Sequence, residues 1–451
     1  MSGEGAQAVP DGSVADHDAD GPAEEPAGSG PAVRRLAAWD AAVLRDLAVE
    51  HGSPLYVLDL DRVRENYRRL DAAFDEAEVY YATKANTLGR CLATLADEGA
   101  GLECASAGEV VRALDALEQV AGETPLVDGS RVQYTAVSPP AADLDTVCEL
   151  WEAYPELTVT VGAADTLDRL ESRDYDGRLC VRVNPGVGAG HHEKVRTGAD
   201  AKFGVPYDEA ADLLAEADDR NFDVVGIHAH AGSGISDESD LANHEELVSR
   251  MGDLAREAPV PLEFVDVGGG FGVPYHEDAP ALDLDAVAQA TREALGEVDA
   301  TLRIEPGRYL VADAGVLLTT VNTVKETPET VVTGVDTGMT TLLRPAMYDA
   351  YHAIRNLSAD IGDAERETVG QTVVGPICES SDSFCSNRPL PRPERTDLLA
   401  IGNAGAYGYE MASHYNSRPR PATVTLADGT ASLARRRETL ADVTRLEVDH
   451  Q

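Results

Sequence analysis

Val79-Tyr80-Tyr81-Ala82-Thr83-Lys84-Ala85-Asn86 reads as a buried strand, Val79–Thr83, that ends on a lysine. An ammonium at such a place is costly unless it is paired, desolvated for chemistry or covalently engaged. Burial lowers an ammonium's pKa, which makes the lysine an amine nucleophile able to form an imine with a carbonyl. The plain alternative is a lysine at the mouth of a loop, its head reaching water.

Outward from this stretch a rhythm appears. Short apolar strands are predicted at Val79–Thr83, Leu102–Ala105, Val132–Thr135, Leu157–Val161, Leu179–Val183, Val224–His228, Phe264–Val267 and Leu302–Ile304. Amphipathic stretches such as Leu88–Glu98, Glu109–Val120, Glu209–Asp219, Leu241–Ala258 and Leu284–Gly296 lie between them. Eight strands alternating with helices predict an α/β fold, a (β/α)8 TIM-like barrel. A doubly wound open sheet is the alternative, but it gathers its ligands at one switch point. Here polar and glycine motifs follow nearly every strand, which favours the barrel.

Beyond Ala312 the rhythm changes. Val316–Thr323, Thr330–Asp336, Val369–Val374, Asp397–Gly402 and Ala422–Leu426 read as strands with few long helices between, so a C-terminal β-rich domain is expected, joined by the early strand Leu55–Leu58. Residues 1–35 are expected as a disordered acidic tail, 59–311 as the barrel, and 36–58 with 312–446 as the β-rich domain.

The net charge of -43 is dispersed along the chain, a surface that repels nucleic acid and anionic membranes. Of 37 basic residues only Lys84, Lys194, Lys202 and Lys325 are lysines. Dispersed acid with few lysines resembles halophile proteins, in which salt screens self-repulsion. A chain that avoids lysine yet keeps one at a strand end strengthens the chemical reading of Lys84. Cys91, Cys104, Cys148, Cys180, Cys378 and Cys385 show no CxxC spacing, no metal site is expected, and a reduced compartment is the default. With no 18-residue apolar run and no leader-like N-terminus, no membrane span and a cytoplasmic location are expected.

In a parallel barrel the C-terminal strand ends converge on one face. That face would gather Lys84, Ser106, Asn184, His230 with Gly232-Ser233-Gly234, Gly268-Gly269-Gly270 and Glu305-Pro306-Gly307-Arg308. Two glycine-rich turns and an arginine suit a phosphate, through exposed N–H donors and a permanent positive charge. A nucleophilic lysine, a phosphate cradle and a carboxylate together suggest pyridoxal 5'-phosphate (PLP), with Glu305 on the pyridine nitrogen and His230 stacked on the ring. Taken singly, Glu305 reads equally as a salt-bridged acid and His230 as a satisfied core histidine.

Tyr81-Ala82-Thr83-Lys84-Ala85-Asn86, His228-Ala229-His230-Ala231-Gly232-Ser233, Asp266-Val267-Gly268-Gly269-Gly270-Phe271-Gly272 and Glu305-Pro306-Gly307-Arg308-Tyr309 resemble the signatures of the fold-type III PLP-dependent decarboxylases. The likeness runs from about Pro54 to Ala422. Within that group Val335–Met339, Arg344–Tyr348, Gly375–Asp382 and Gly405–Gly408 are most similar to the diaminopimelate decarboxylases. This resemblance implies decarboxylation of meso-2,6-diaminopimelate to L-lysine and CO2, the last step of lysine biosynthesis. It implies that Lys84 holds PLP covalently, that His230 stacks on the ring and that Glu305 pairs with its nitrogen. Ser233, Gly268, Gly269, Gly270, Gly307 and Tyr407 would surround the phosphate. Arg308, Arg344 and Tyr348 would grip the remote carboxylate of the substrate and Glu379 its distal ammonium, while Cys378 reprotonates the carbanion. In the family the Cys-Glu segment comes from a partner subunit, which implies a homodimer with shared active sites. His191 matches a family loop near the site.

The residue chemistry fits these roles. A bidentate arginine with a tyrosine hydroxyl suits a carboxylate. A free thiol titrates near about 8.5, which lets it hold a proton near neutrality. The plain readings are a buried small residue for Cys378 and core tyrosines for Tyr348 and Tyr407. The chain also departs from the family pattern. Glu103 replaces an aspartate, Ala201 a serine, Tyr134–Pro140 an Asn-Lys element and Thr341 an acid near Arg344. Three rivals remain. A polyamine-pathway decarboxylase (ornithine, arginine or carboxynorspermidine) mostly lacks use for Arg344 and Tyr348. A non-catalytic PLP-binding regulatory homologue would be expected to lose Lys84 or Cys378. A racemase would need a second base, for which no motif is present.

Overall fold

The structure, a computed structural model, describes residues 31–122, 127–187, 202–230, 232, 234–235, 238–362 and 365–448. Strand β1 (Leu55–Asp59) belongs to the second sheet. The barrel begins at β2 (Glu78–Ala82) and runs through β3 (Gly101–Cys104), β4 (Val132–Thr135), β5 (Thr158–Val161) and β6 (Arg178–Asn184). After the two-residue β7 (Val205–Pro206) it continues with β8 (Asp223–His228), β9 (Phe264–Asp266) and β10 (Thr301–Ile304). All pairings are parallel, and β10 closes on β2 in the register Arg303↔Glu78 and Ile304↔Val79. The expected closed barrel is therefore present, each strand within one residue of its predicted ends.

Helices cover the outside because every strand buries both faces. The largest apolar cluster joins strand residues such as Tyr81, Leu102, Val159 and Ile227 to helix residues such as Leu70, Leu92, Leu114 and Leu214. Helix starts follow local capping chemistry. Asp59 accepts from Asp61 and Arg62 N–H at the head of Leu60–Ala73, and Ser106 accepts from Glu109 N–H at the head of Ala107–Ala121. Ser106 therefore acts as a cap.

The barrel axis is polar. Arg303 lies between the rings of Phe264 (3.5 Å) and Tyr80 (4.0 Å) and pairs with Glu78 at 2.7 Å. Its Nη1 donates to Gln133 Oε1 at 2.7 Å, and Gln133 Nε2 donates to Asp266 Oδ2 at 3.3 Å. This chain of contacts satisfies buried polar groups from the base of the barrel up to the acids at its mouth.

The second sheet is built on β1. It pairs antiparallel with β11 (Gly315–Glu326) and parallel with β17 (Ala422–Ala427). The remaining strands are β12 (Val331–Val335), β13 (Ile354–Asn356), β14 (Thr368–Val374), β15 (Ser383–Pro391), β16 (Leu398–Ile401) and β18 (Thr430–Arg435). A second apolar core joins Leu44 and Leu47 of the helix Ala41–His51 to Leu55, Val57, Val316 and Val424. Strand β15 carries two prolines, which an edge strand tolerates because its outer N–H groups pair with nothing. Residues 1–30 of the expected tail lie outside the described residues. Within its last five, Arg34 pairs with Asp59 at 2.5 Å and Arg35 donates to His276 O at 2.8 Å. Barrel and sheet are clamped by the buried pair Arg62–Asp313 at 2.7 Å.

Candidate active site

Lys84 sits in the one-turn 3-10 helix Thr83–Ala85 that ends β2. Its Nζ donates at 2.6 Å to Glu103 Oε2 on the adjacent β3. The side chain of Glu103 is only 3% exposed, that of Lys84 42%. Burial pulls the Lys84 pKa down, but the Glu103 carboxylate, with Tyr407 and Glu305, outweighs it, and the net shift is upward. The expectation of an ammonium weakened by burial is thus corrected: a neighbouring acid holds the proton on Lys84. Glu103 is itself raised, burial outweighing the attraction of Lys84.

Glu305 follows β10 and is buried. His228 Nε2 lies 3.1 Å from its Oε2, and its Oε1 has no hydrogen-bond partner. Burial pushes Glu305 up, but His228 and Lys84 bring it well below the usual carboxylate range. His228 is lowered by burial, so we assign it as a neutral ring whose Nε2–H donates to Glu305. Asp266 is raised, by burial and by the charge of Glu305 beside it. Burial and mutual charge thus push the two neighbouring carboxyl groups apart, Glu305 down and Asp266 up, and Glu305 keeps one oxygen free.

His230 Nδ1 accepts from Gly269 N–H at 3.1 Å, which leaves the proton on Nε2. Burial, then Lys84 and Arg182, lower its pKa to about 3, so it presents a neutral ring. The glycine turn is steric necessity. A Cβ on Gly269 would sit 2.1 Å from Glu305 O, and Gly270 has φ +109° with a Cβ position 2.8 Å from Gly232 O. A Cβ on Gly307 would lie 3.4 Å from Tyr407 Oη.

The second domain reaches back over this face. Tyr407 N–H donates to Ala85 O at 2.8 Å and Asn86 Nδ2 donates to Gly405 O at 2.9 Å. Arg308 lies 4.9 Å from the Tyr407 ring and donates to Tyr275 Oη at 2.6 Å. Arg344 lies 4.6 Å from the Tyr275 ring and is buried, with its Nη1 3.0 Å from His352 Nε2. Arg308, Arg344, Tyr348 and Tyr407 influence one another electrostatically, so all four gather here.

Lys84, His230, Gly268–Gly270, Glu305, Gly307, Arg308, Arg344, Tyr348 and Tyr407 are thus brought to one face. Cys378 and Glu379 are not. Cys378 is exposed with its Sγ 3.6 Å from Asn416 Oδ1, and Glu379 accepts from Tyr415 Oη. Ser233, His191 and Ala201 lie outside the described residues. Sequence reasoning missed Tyr275, the pairing role of Glu103, and Arg182, which lies 5.0 Å over Phe203 and acts electrostatically on His230. An arginine inside a barrel strand was the available signal for Arg182.

The face fits PLP. It has an amine, a free buried carboxylate oxygen for a pyridine N–H, a neutral ring and a glycine turn in which no side chain has room. A model described as "Pyridoxal-dependent decarboxylase, pyridoxal binding domain" matches residues 60–312. The chain is 41% identical over 414 residues to diaminopimelate decarboxylase of Methanothermobacter thermautotrophicus, covering 89% of this chain and 92% of that one. It is 35% identical over 417 residues to the Escherichia coli K12 enzyme of the same name, covering 89% and 95%. The crystal structure of diaminopimelate decarboxylase from Helicobacter pylori complexed with L-lysine superposes with TM-score 0.79 at 33% identity, over 89% of this chain and 98% of that one. Lysine, acid and glycine turn thus stand in a fold shared nearly end to end with these proteins, and the chain belongs to the diaminopimelate decarboxylase family of PLP-dependent decarboxylases.

Proposed function

We propose that this protein decarboxylates meso-2,6-diaminopimelate to L-lysine and CO2, the closing step of lysine biosynthesis, in the cytoplasm. The observation that carries the reading is the pair Arg308 and Arg344. Among the described residues neither has a carboxylate within ion-pairing distance, in a chain with 80 acidic residues. A buried and a half-buried guanidinium group gathered on Tyr275 suit a substrate that brings a second carboxylate.

PLP, when bound, supplies the electron sink for loss of CO2. Lys84 would hold it, with Glu305 on the pyridine nitrogen, His230 against the ring, and Ser233, Gly268–Gly270, Gly307 and Tyr407 around the phosphate. Glu103 Oε2, 2.6 Å from Lys84 Nζ, stabilises the ammonium of the PLP-free chain. Arg308, Arg344 and Tyr348 receive the remote carboxylate. Glu379 receives the distal ammonium, and the Cys378 thiol holds the proton delivered to the reacting carbon. Because Cys378 and Glu379 have no partner in the barrel of their own chain among the described residues, a homodimer in which a second copy supplies them is the reading we adopt. The dispersed charge of -43 supports adaptation to high salt.

The test is CO2 release at molar KCl from meso-diaminopimelate, ornithine, arginine and L-lysine. Release from diaminopimelate alone is expected. Release from ornithine or arginine would establish the polyamine reading, and none from any substrate a non-catalytic PLP-binding protein.

A further inference from the structure

We propose that Tyr275 is the third member of the carboxylate clamp with Arg308 and Arg344, its hydroxyl donating to the remote carboxylate and so selecting substrates that carry one. The inference deepens the function proposed above and rests on it.

Tyr275 lies in the loop after β9, where no motif marks it. Its Oη accepts Arg308 Nη1–H at 2.6 Å, and the Arg308 guanidinium lies 5.7 Å from its ring. The Arg344 guanidinium lies 4.6 Å from the same ring. With guanidinium donors on the oxygen, the hydroxyl's own hydrogen is the capacity left, and a hydroxyl has one such donor. The two cations lower the Tyr275 pKa against the effect of burial, which strengthens that donor.

The surroundings fix this phenol in place. Arginine can only donate, so His352 Nε2 accepts from Arg344 Nη1 at 3.0 Å and His352 Nδ1–H donates to Gly402 O at 2.8 Å. Burial and then Arg344 lower His352 to about 3, so it adds no third positive charge. The His352 ring meets the Tyr275 ring edge-on at 5.2 Å. Asn403 Nδ2 donates to Pro274 O at 3.1 Å and ties the loop to the second domain. Two guanidinium groups with no acid on them among the described residues, held on one neutral phenol, leave a positive charge that an incoming carboxylate neutralises.

The experiment uses the holoenzyme and Tyr275→Phe, which keeps the ring contacts and removes the hydroxyl. KM for meso-diaminopimelate is measured with inhibition by L-lysine and by 1,5-diaminopentane, which differ by one carboxylate. Y275F should raise KM and weaken L-lysine inhibition about ten- to a hundredfold, the scale of a hydrogen bond to a charged group. Inhibition by 1,5-diaminopentane should not move. Equal L-lysine inhibition in both enzymes, equal weakening of both inhibitors, or loss of PLP absorbance in Y275F overturns the inference. If the wild type itself fails to prefer L-lysine over 1,5-diaminopentane, the proposed function fails instead.

Discussion

Replacing Glu103 by Gln keeps the shape of the side chain and removes its charge, so it isolates what that acid does to Lys84. At 2.6 Å the pair attracts by about 6 kcal/mol at an effective dielectric of ~20 and by about 1.6 kcal/mol at that of water. Lys84 is 42% exposed, so solvent screening pulls the real value toward the lower figure. One pH unit corresponds to about 1.4 kcal/mol, so E103Q should lower the Lys84 midpoint by at least about one pH unit. The direction follows from the signs: the Glu103 carboxylate favours the ammonium, burial opposes it, and the variant keeps burial while losing the largest opposing group, with only Tyr407 and Glu305 left against it. The chain has four lysines, so 13C-dimethylation of the PLP-free protein gives four lysine signals to follow with pH. The Lys84 signal is assigned by its absence in K84R. Identical midpoints in parent and E103Q would refute the reasoning and return Lys84 to the role of a lysine governed by solvent.

Cys378→Ala should retain PLP while turnover falls at least about a hundredfold, the scale of losing a general acid; unchanged kcat would remove Cys378 from the mechanism. Mixing inactive Lys84→Ala and Cys378→Ala chains should restore about a quarter of wild-type activity if sites are shared across a two-fold dimer, and none if each chain is self-sufficient. Arg344→Ala should raise KM for diaminopimelate about tenfold or more, because it removes a charged hydrogen-bond donor to the carboxylate; an unaffected KM would move that group elsewhere. The melting temperature should rise between millimolar and molar KCl as a net charge of -43 is screened; a flat response would remove the halophilic reading.

The barrel was legible because its strands are short apolar runs with both faces covered, and such runs stop where polar residues begin. Val132–Thr135 was read without error for that reason. Strand β15 was not, since Asn387-Arg388-Pro389-Leu390-Pro391 looks like a loop and only the free edge of the sheet makes it a strand. Of the residues that the structure brings to one face, Lys84, His230, Gly268–Gly270, Glu305 and Arg308 are ones that motifs mark. Tyr275 escaped because a tyrosine in a loop carries no periodic signal, and its meaning comes from two arginines 33 and 69 positions further on. The ionisation of Lys84 escaped for a related reason. A strand-end lysine can be anticipated to be enclosed, but whether an acid shares the enclosure depends on register, and Tyr81↔Leu102 with Ala82↔Glu103 is what puts Glu103 beside it.

That register separates two tasks. The groups suited to PLP lie at the ends of barrel strands and in the turns that follow them, on elements whose positions are fixed by the closed sheet. The groups suited to a second carboxylate lie along a seam: Arg308 on the barrel side, Tyr275 on a loop tied to Asn403, Arg344 and His352 from the second domain, with Tyr407 docked on Ala85 between them. A substitution in the seam is therefore expected to change what is recognised while the face suited to PLP stays intact. The departures from the family pattern follow the same division. Glu103 tunes Lys84 from within the barrel, and Thr341 stands on the side of the second domain, its carbonyl accepting from Tyr56 Oη. An Arg344 already paired with an acid would face a carboxylate substrate as a neutral pair; paired with a neutral His352, it faces it as a cation.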